Sequence, residues 1–364
     1  MTTDLNIKKL SAWSDNMKLP LVIAGPCSAE TEQQMLSTAS ELAKNDKISY
    51  FRAGIWKPRT RPGSFEGIGV KALEWMKAVK DQTGLKLATE VANAEHVEAC
   101  LKAGIDLLWI GARTSVNPFS VQEIADAVQG VDVSIAVKNP INPDLQLWVG
   151  ALERIDKAGI TKLIAIHRGF SSYEKSPFRN QPLWDYPIEL KTICPQIPII
   201  CDPSHIAGTR DLIPFISQKA LDMDMDGFII ESHINPAAAL SDAAQQLTPK
   251  DLNLLLKSLV VRIAVSKNEE FSDQLEKFRS LIDELDEDIA QKLSSRMEIA
   301  EKIGKYKKDH NVTILQVKRW EELIANRIAY ASALGLDKDF MRKFLKLVHK
   351  ESIRRQNDVM NTQS

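Results

Sequence analysis

Four residues able to hold a metal ion lie at or just after the ends of apolar runs: Cys27, His205, Glu231 and, one short loop later, Asp242. A thiolate, an imidazole and two carboxylates form a mixed donor set that suits manganese, iron, cobalt or zinc better than calcium, without choosing among them; manganese is taken as the working ion. Each residue alone has a plainer reading, since a strand-end cysteine is commonly a small core residue and a single histidine or glutamate is commonly solvated or paired. Only the set points to a metal. Cations gather at equivalent places: Arg52, Lys57, Arg59 and Arg61, then Arg113, Lys138 and Arg168. In a chain of net charge -1, this concentration prepares one end of the molecule for a substrate with more than one anionic group, phosphates and carboxylates above all. Lys138 has a second reading as the Schiff-base lysine of a metal-free aldolase, and the metal-type donors weigh against it.

Eight short apolar runs must position these groups: 21–24, 49–51, 85–88, 107–110, 134–137, 163–166, 197–200 and 227–230. Continuous apolar character without alternation predicts strands buried on both faces, hence parallel strands of an α/β protein. Amphipathic stretches such as 32–44, 69–82 and 95–103 are long enough for crossover helices. The prediction is a (β/α)8 TIM barrel, whose chemistry collects where the strands run out at the C-terminal face. A doubly wound open sheet would also alternate strands and helices, but would concentrate polar residues at one switch point; here nearly every run ends in them. With 44% hydrophobic and 26% charged residues among 364, the chain gives no reason to expect nucleic acid or a membrane as partner. Neither a signal peptide nor a membrane span is expected, and four scattered cysteines give no disulfide framework, so a cytoplasmic enzyme is predicted.

The stretch 249–265 reads as the closing barrel helix and 266–271 as a linker between a barrel of residues 1–265 and a second domain of residues 272–364. Beyond Phe271 there is no proline, and Gly304 and Gly335 are the remaining glycines, so this part is predicted to be all helical, with a break at Gly335. Leu275, Phe278, Ile282, Leu285, Ile289, Leu293, Ala300 and Ile303 form a stripe of helical period. Arg296 and Lys307 fall within that stripe and Arg279 at its edge. Singly, such cations read as salt-bridged or snorkelling side chains; three together suggest an anionic ligand. Arg296 and Lys307 lie roughly 16 Å apart along a helix, close enough to grip one small dianion, whereas Arg279 is roughly 25 Å from Arg296. If Arg279 serves that ligand, it comes from a second copy of the helix, so a dimer is expected.

Gly25-Pro26-Cys27-Ser28, Lys57-Pro58-Arg59-Thr60, Gly111-Ala112-Arg113, Lys138-Asn139-Pro140, His167-Arg168-Gly169-Phe170 and Asp202-Pro203-Ser204-His205 resemble, in order, the signature of the type I beta synthases of 3-deoxy-D-arabino-heptulosonate 7-phosphate (DAHP). The related octulosonate 8-phosphate synthases have Lys-Ala-Asn-Arg where this chain has Lys57-Pro58-Arg59. The resemblance implies condensation of phosphoenolpyruvate with erythrose 4-phosphate, with a divalent ion on Cys27, His205, Glu231 and Asp242. It implies that Arg113, Lys138 and Arg168 hold the phosphate of phosphoenolpyruvate and that Arg52 and Lys57 face its carboxylate. Arg59 and Thr60 would hold the phosphate of erythrose 4-phosphate, and Glu90 would orient the attacking water with Lys138. Ala112 and Asp202 complete the expected substrate-binding set. Cys201 is expected near the metal, able to form an inactivating disulfide with Cys27.

Residues 272–360 resemble the all-helical chorismate mutases, through the separations of Arg279, Arg296 and Lys307 and through Arg319, Ser352 and Gln356. That resemblance implies a site for chorismate in which Arg279 of one chain joins Arg296 of another on the two carboxylates, while Lys307 and Gln356 stabilise the ether oxygen as the bond breaks. Trp320 replaces a glutamate common in that family, with Gln316 one turn earlier. The fusion suggests feedback, with prephenate or chorismate sensed by the helical domain. The competing expectation makes the tail a sensing and dimerisation module without turnover.

Overall fold

The computed structural model describes residues 3–13, 18–57, 63–173, 175–262, 268–315 and 317–361, with no side chains described at Glu269, Val317, Lys318, Arg319, Glu321 and Glu322. The chain divides into two compact units, Met1–Ala264 and Val265–Ser364.

In the first unit every apolar run is a strand: β1 (Leu21–Gly25), β2 (Tyr50–Arg52), β3 (Lys86–Val91), β4 (Leu107–Ile110), β5 (Ser134–Lys138), β6 (Leu163–His167), β7 (Ile199–Cys201) and β8 (Gly227–Glu231). They close into a barrel in sequence order, all parallel, with β8 returning to β1. Between them run α1 (Glu32–Leu42), α2 (Lys71–Thr83), α3 (Ala94–Lys102), α4 (Pro118–Val128), α5 (Leu145–Lys157), α6 (Asp185–Ile193), α7 (Pro203–Ala207) and α8 (Ile213–Asp222), and α9 (Pro249–Ser258) follows β8. Several of these helices begin where a side-chain oxygen takes an otherwise orphaned backbone N–H: Thr31 from Gln34, Asn93 from His96, Asp144 from Leu147 and Thr248 from Asp251. Each such cap contributes about 1 kcal/mol. The closing helix ends at Ser258, short of the expected 265.

Strand side chains alternate between two sides of the barrel wall. Leu21, Ile23, Tyr50, Ala88, Leu107, Trp109, Ala136, Ile164, Ile166, Ile200 and Ile229 fill the interior, and Leu10 and Trp13 from the N-terminal segment join them. The intervening residues, among them Val22, Phe51, Leu108, Val137, Ala165 and Phe228, pack against the helices. Each buried Leu, Ile or Phe contributes about 1.5–3 kcal/mol by leaving water. This alternation also decides which strand-end residues reach the barrel mouth. Arg52, Glu90, Lys138 and Glu231 share the parity of interior residues; His167 and Cys201 do not.

The second unit holds α10 (Glu269–Asp309), α11 (Val317–Ala333) and α12 (Lys338–Asn361). Asn268 caps α10 by accepting the Phe271 N–H, so Glu269, Glu270 and Phe271, expected within a linker, form its first turn. The turn at Gly335 (φ 83) separates α11 from α12 as expected. Met297 and Ala300 of α10 are buried, as is Val348 of α12, and Arg355 of α12 bonds Glu301 of α10 at 2.8 Å. A Cβ on Gly304 would lie 2.9 Å from Cα of Gln356, so the two helices meet there only because that side chain is absent. The N-terminal half of the stripe is different: Phe278, Ile282, Leu285 and Ile289 are each more than half exposed within the single chain.

Candidate functional site

The barrel mouth is built from strand ends and the loops that follow them. Ligand atoms of Cys27, Glu231 and Asp242 lie within 4.8 Å of one another, and His205 Nε2 stands 3.8 Å from Glu231 Oε1. That oxygen is buried and accepts no hydrogen bond from the described residues; the Arg52 guanidinium stands 3.5 Å from it as an ion pair, and its lone pairs are open to a ligated cation. Neighbouring groups hold the donors in place. Gln245 Nε2 donates to Glu231 Oε2 (2.7 Å), the Cys27 N–H donates to Gln246 Oε1 (2.9 Å), and Arg179 donates to Asp242 Oδ1 (3.0 Å) and to Gln245 Oε1 (2.7 Å). Ser28 donates to Glu30 and shares a hydrogen bond with Ser241, tying the loop of Cys27 to the loop of Asp242. His205 is oriented by Nδ1 against Asp202, at 2.8 Å, as a ligating imidazole requires. The donor set and its supports fit a divalent transition ion.

Charges in the mouth are strongly coupled. Burial, with Glu231 and Asp242 adding to it, pushes the Cys27 thiol up to about 12. Burial alone would raise the carboxyls, but His205 and Arg52 hold Glu231 below its ordinary value, and Arg179 with His205 holds Asp242 well below the carboxylate range. Asp202, fully buried, is likewise held well down by His205 and Lys138, whose Nζ lies 2.7 Å away. Lys57 donates to Cys27 Sγ (3.1 Å) and to its carbonyl (3.0 Å); against burial, Cys27, Glu231 and Glu90 keep its ammonium charged.

The cationic residues expected to meet anions are placed as specifically. Arg52 is 1% exposed; its guanidinium lies 4.7 Å over the Trp109 ring, and one nitrogen reaches the Cys27 carbonyl (3.2 Å). Its Nε and other terminal nitrogen are buried with no hydrogen-bond partner among the described residues. Burying such donors unpaired is costly, so this site expects an anion. Trp109 Nε1 donates to Glu90 Oε2 (3.0 Å), and a Cβ on Gly111 would fall 2.2 Å from the same carboxylate. Arg168 donates from its backbone to Asn139 Oδ1 and from its side chain to Asn180 Oδ1 (2.7 Å). Burial lowers it to about 10, with the charges of Arg179 and Arg113 adding to that effect, which marks three arginines close enough to repel. Arg113 is exposed and Ala112 buried, both in the turn after β4. Arg59 and Thr60 lie outside the described residues.

Cys201 corrects the sequence reading. Lying one residue beyond inward-facing Ile200, it packs in the shell between strands and helices, on the other side of the barrel wall from the Cys27 cluster. Cys201 and Cys27 are both free and buried, and the parity of β7 turns the Cys201 side chain to the helix-facing shell rather than to the mouth. His167 follows the same parity and sits among Trp148, Phe170 and Trp184, where burial lowers it to about 3.

In the helical unit Arg296 donates to Ser352 Oγ, and Gln356 Nε2 donates to the Ser352 carbonyl (3.2 Å). Gln356 Oε1 is buried without a partner among the described residues. Lys307 Nζ donates to the Ile314 carbonyl (2.6 Å). Arg279 is exposed and pairs with Glu276 at 3.5 Å, separate from this cluster within the single chain. Gln316 lies outside the described residues, as does the side chain of Arg319. Trp320 stacks on His349, with ring centres 3.7 Å apart and planes 14° from parallel.

Sequence reasoning missed Arg179, Gln245, Gln246 and His349. The first three lie on loops without periodicity, so nothing marked them. His349 carried a signal that went unused: it is three residues before Ser352 and seven before Gln356, on one face of α12.

The sequence model of the DAHP synthetase I family matches residues 13–263, and that of chorismate mutase type II matches residues 278–357. The phospho-2-dehydro-3-deoxyheptonate aldolase of Thermotoga maritima is 31% identical over 250 residues, covering 68% of this chain and 72% of the relative. A 2-dehydro-3-deoxyphosphooctonate aldolase of Helicobacter pylori is 29% identical over 262 residues, covering 66% of this chain and 94% of the relative. The crystal structure of the Thermotoga maritima DAHP synthase matches with a TM-score of 0.59 at 30% identity, over 65% of this chain and 67% of that one.

Proposed function

We propose, for a chain that belongs to the DAHP synthetase I family and carries a chorismate mutase type II domain, a metal-dependent condensation of phosphoenolpyruvate with erythrose 4-phosphate in the barrel and rearrangement of chorismate to prephenate in the helical unit. The observation that carries the barrel reading is Arg52, buried over Trp109 with two nitrogens lacking partners among the described residues, beside the Cys27–Glu231–Asp242 group. An anionic substrate there lies next to the metal ligands.

Cys27, His205, Glu231 and Asp242 would hold the ion, which when bound supplies a Lewis acid that polarises the aldehyde. Arg52 and Lys57 take the carboxylate of phosphoenolpyruvate. Lys138, Arg113 and Arg168 take its phosphate, and Arg59 and Thr60 that of erythrose 4-phosphate. Carbon 3 of the enol attacks the aldehyde carbon; water then captures carbon 2 and inorganic phosphate leaves. Glu90, held by the Trp109 indole on one oxygen, and Lys138 orient that water. In the helical unit Arg296 and Arg279 bind the two carboxylates of chorismate. Lys307 and Gln356 stabilise the ether oxygen, an electrostatic contribution that needs no covalent step. Arg319 and Ser352 complete the set. The exposed stripe from Phe278 to Ile289 supports a homodimer in which Arg279 serves the partner's site.

Metal-stripped protein should consume phosphoenolpyruvate only after manganese is added, and with erythrose 4-phosphate rather than arabinose 5-phosphate. Turnover without metal would remove the role given to the four ligands, and preference for the five-carbon sugar would reassign the Lys57–Thr60 segment. We further infer that prephenate, the mutase product, inhibits the barrel through the helical unit, a coupling that would amount to roughly 1–3 kcal/mol. Synthase rates should fall across a prephenate titration; a flat response would end that idea.

A further inference from the structure

We propose that His349 is a substrate-binding residue of the helical site, its Nε2 hydrogen-bonding the ring hydroxyl of chorismate while Trp320 holds the imidazole in orientation. The inference rests on the mutase reading above.

Three observations converge on it. On α12, His349, Ser352 and Gln356 are spaced three and four residues apart and therefore share one face, the face on which Arg296 of α10 meets Ser352. His349 Nε2 is buried with no hydrogen-bond partner among the described residues, as is Gln356 Oε1. Two polar atoms on one face, withdrawn from water and left unpaired, are costly unless a ligand completes them. Finally, the indole of Trp320 lies nearly parallel on the imidazole at 3.7 Å between ring centres. That stack fixes the ring plane, and so the direction of Nε2, at little further entropy cost.

The chemistry of the neighbours selects the group bound. Burial, with the positive charge of Arg296 adding to it, holds His349 below its ordinary pKa, which favours the neutral ring. A neutral imidazole both accepts and donates one hydrogen bond. A carboxylate is better served by the guanidinium beside it. Of the polar groups on chorismate, two are carboxylates suited to arginine and one is the ether oxygen suited to Lys307 and Gln356. The hydroxyl remains, and a neutral donor–acceptor matches it.

The test compares chorismate with its analogue lacking the ring hydroxyl, using the full chain and His349→Phe, which keeps an aromatic ring against Trp320 and removes the nitrogens. For chorismate, kcat/KM should fall roughly tenfold, mostly through KM; for the deoxy analogue it should change by less than about twofold. His349→Gln, which restores a hydrogen-bonding group, should recover part of the loss. Equal losses on both substrates would show a merely structural role and overturn the assignment, as would no loss on either. If chorismate is turned over, and lost in Lys307→Ala while His349→Phe matches the wild type, the mutase reading stands and the role of His349 falls. If the wild type turns over no chorismate, both fall together.

Discussion

Lys138→Met is expected to lower synthase kcat/KM by roughly a thousandfold, the scale on which a positioned charge at a reacting group contributes, and to destabilise the barrel at the same time. Lys138 Nζ lies 2.7 Å from Asp202 Oδ2, both side chains nearly inaccessible. Removing the ammonium leaves a buried carboxylate whose remaining ion-pair partner among the described residues is His205, with Arg168 acting on it from further off, a loss of about 3–5 kcal/mol that should lower Tm by about 10 °C in a domain of this size. The two effects are separable. Adding Asp202→Asn to Lys138→Met removes the stranded charge while keeping an amide acceptor for His205, so the melting temperature should largely recover while the synthase rate stays low. If activity returned with stability, Lys138 would be a structural partner of Asp202 and nothing more.

The second large effect concerns the helical unit. Arg279→Ala and Lys307→Ala should each reduce chorismate turnover by roughly a hundredfold or more, yet equimolar chains unfolded and refolded together should recover about a quarter of the wild-type rate. The fraction follows from geometry: half of the dimers are mixed, and each mixed dimer holds one site with every residue intact. Arg279 lies apart from the Arg296–Ser352–Gln356 cluster in its own chain, on a helix whose apolar stripe is exposed at Phe278, Ile282, Leu285 and Ile289. Mixtures no more active than their parents would place Arg279 in its own chain's site or in none.

Much of this was legible in the residues. The strands were readable because continuous apolar runs have one use in an α/β protein, and the barrel because nearly every run ends in polar groups. Arg296 was picked out by helical spacing and Ser352 by family resemblance, and the structure joins the two by a hydrogen bond that neither reading specified. What failed did so for identifiable reasons. Cys201 was placed near the metal by its adjacency to Asp202, whereas alternation along β7 sends neighbouring side chains to opposite sides of the wall. The start of α10 was read as linker because Ser266 to Glu270 is polar, but Asn268 is a cap and a cap's neighbours are polar by nature. Arg179, Gln245 and Gln246 brace the proposed metal ligands from loops, where no period exists to be read. Trp320 stood out as a departure from family pattern, but its partner His349 became visible only once the two rings were seen stacked.

The alternation along the strands has a consequence for how such a protein can change over time. Most inward-facing positions fill the barrel and most others pack on the helices, so only the last residue of a strand at the inward parity is free of a packing duty and turns to the mouth. Substitutions at those few strand ends can alter the candidate site while the helix-facing shell stays as it is.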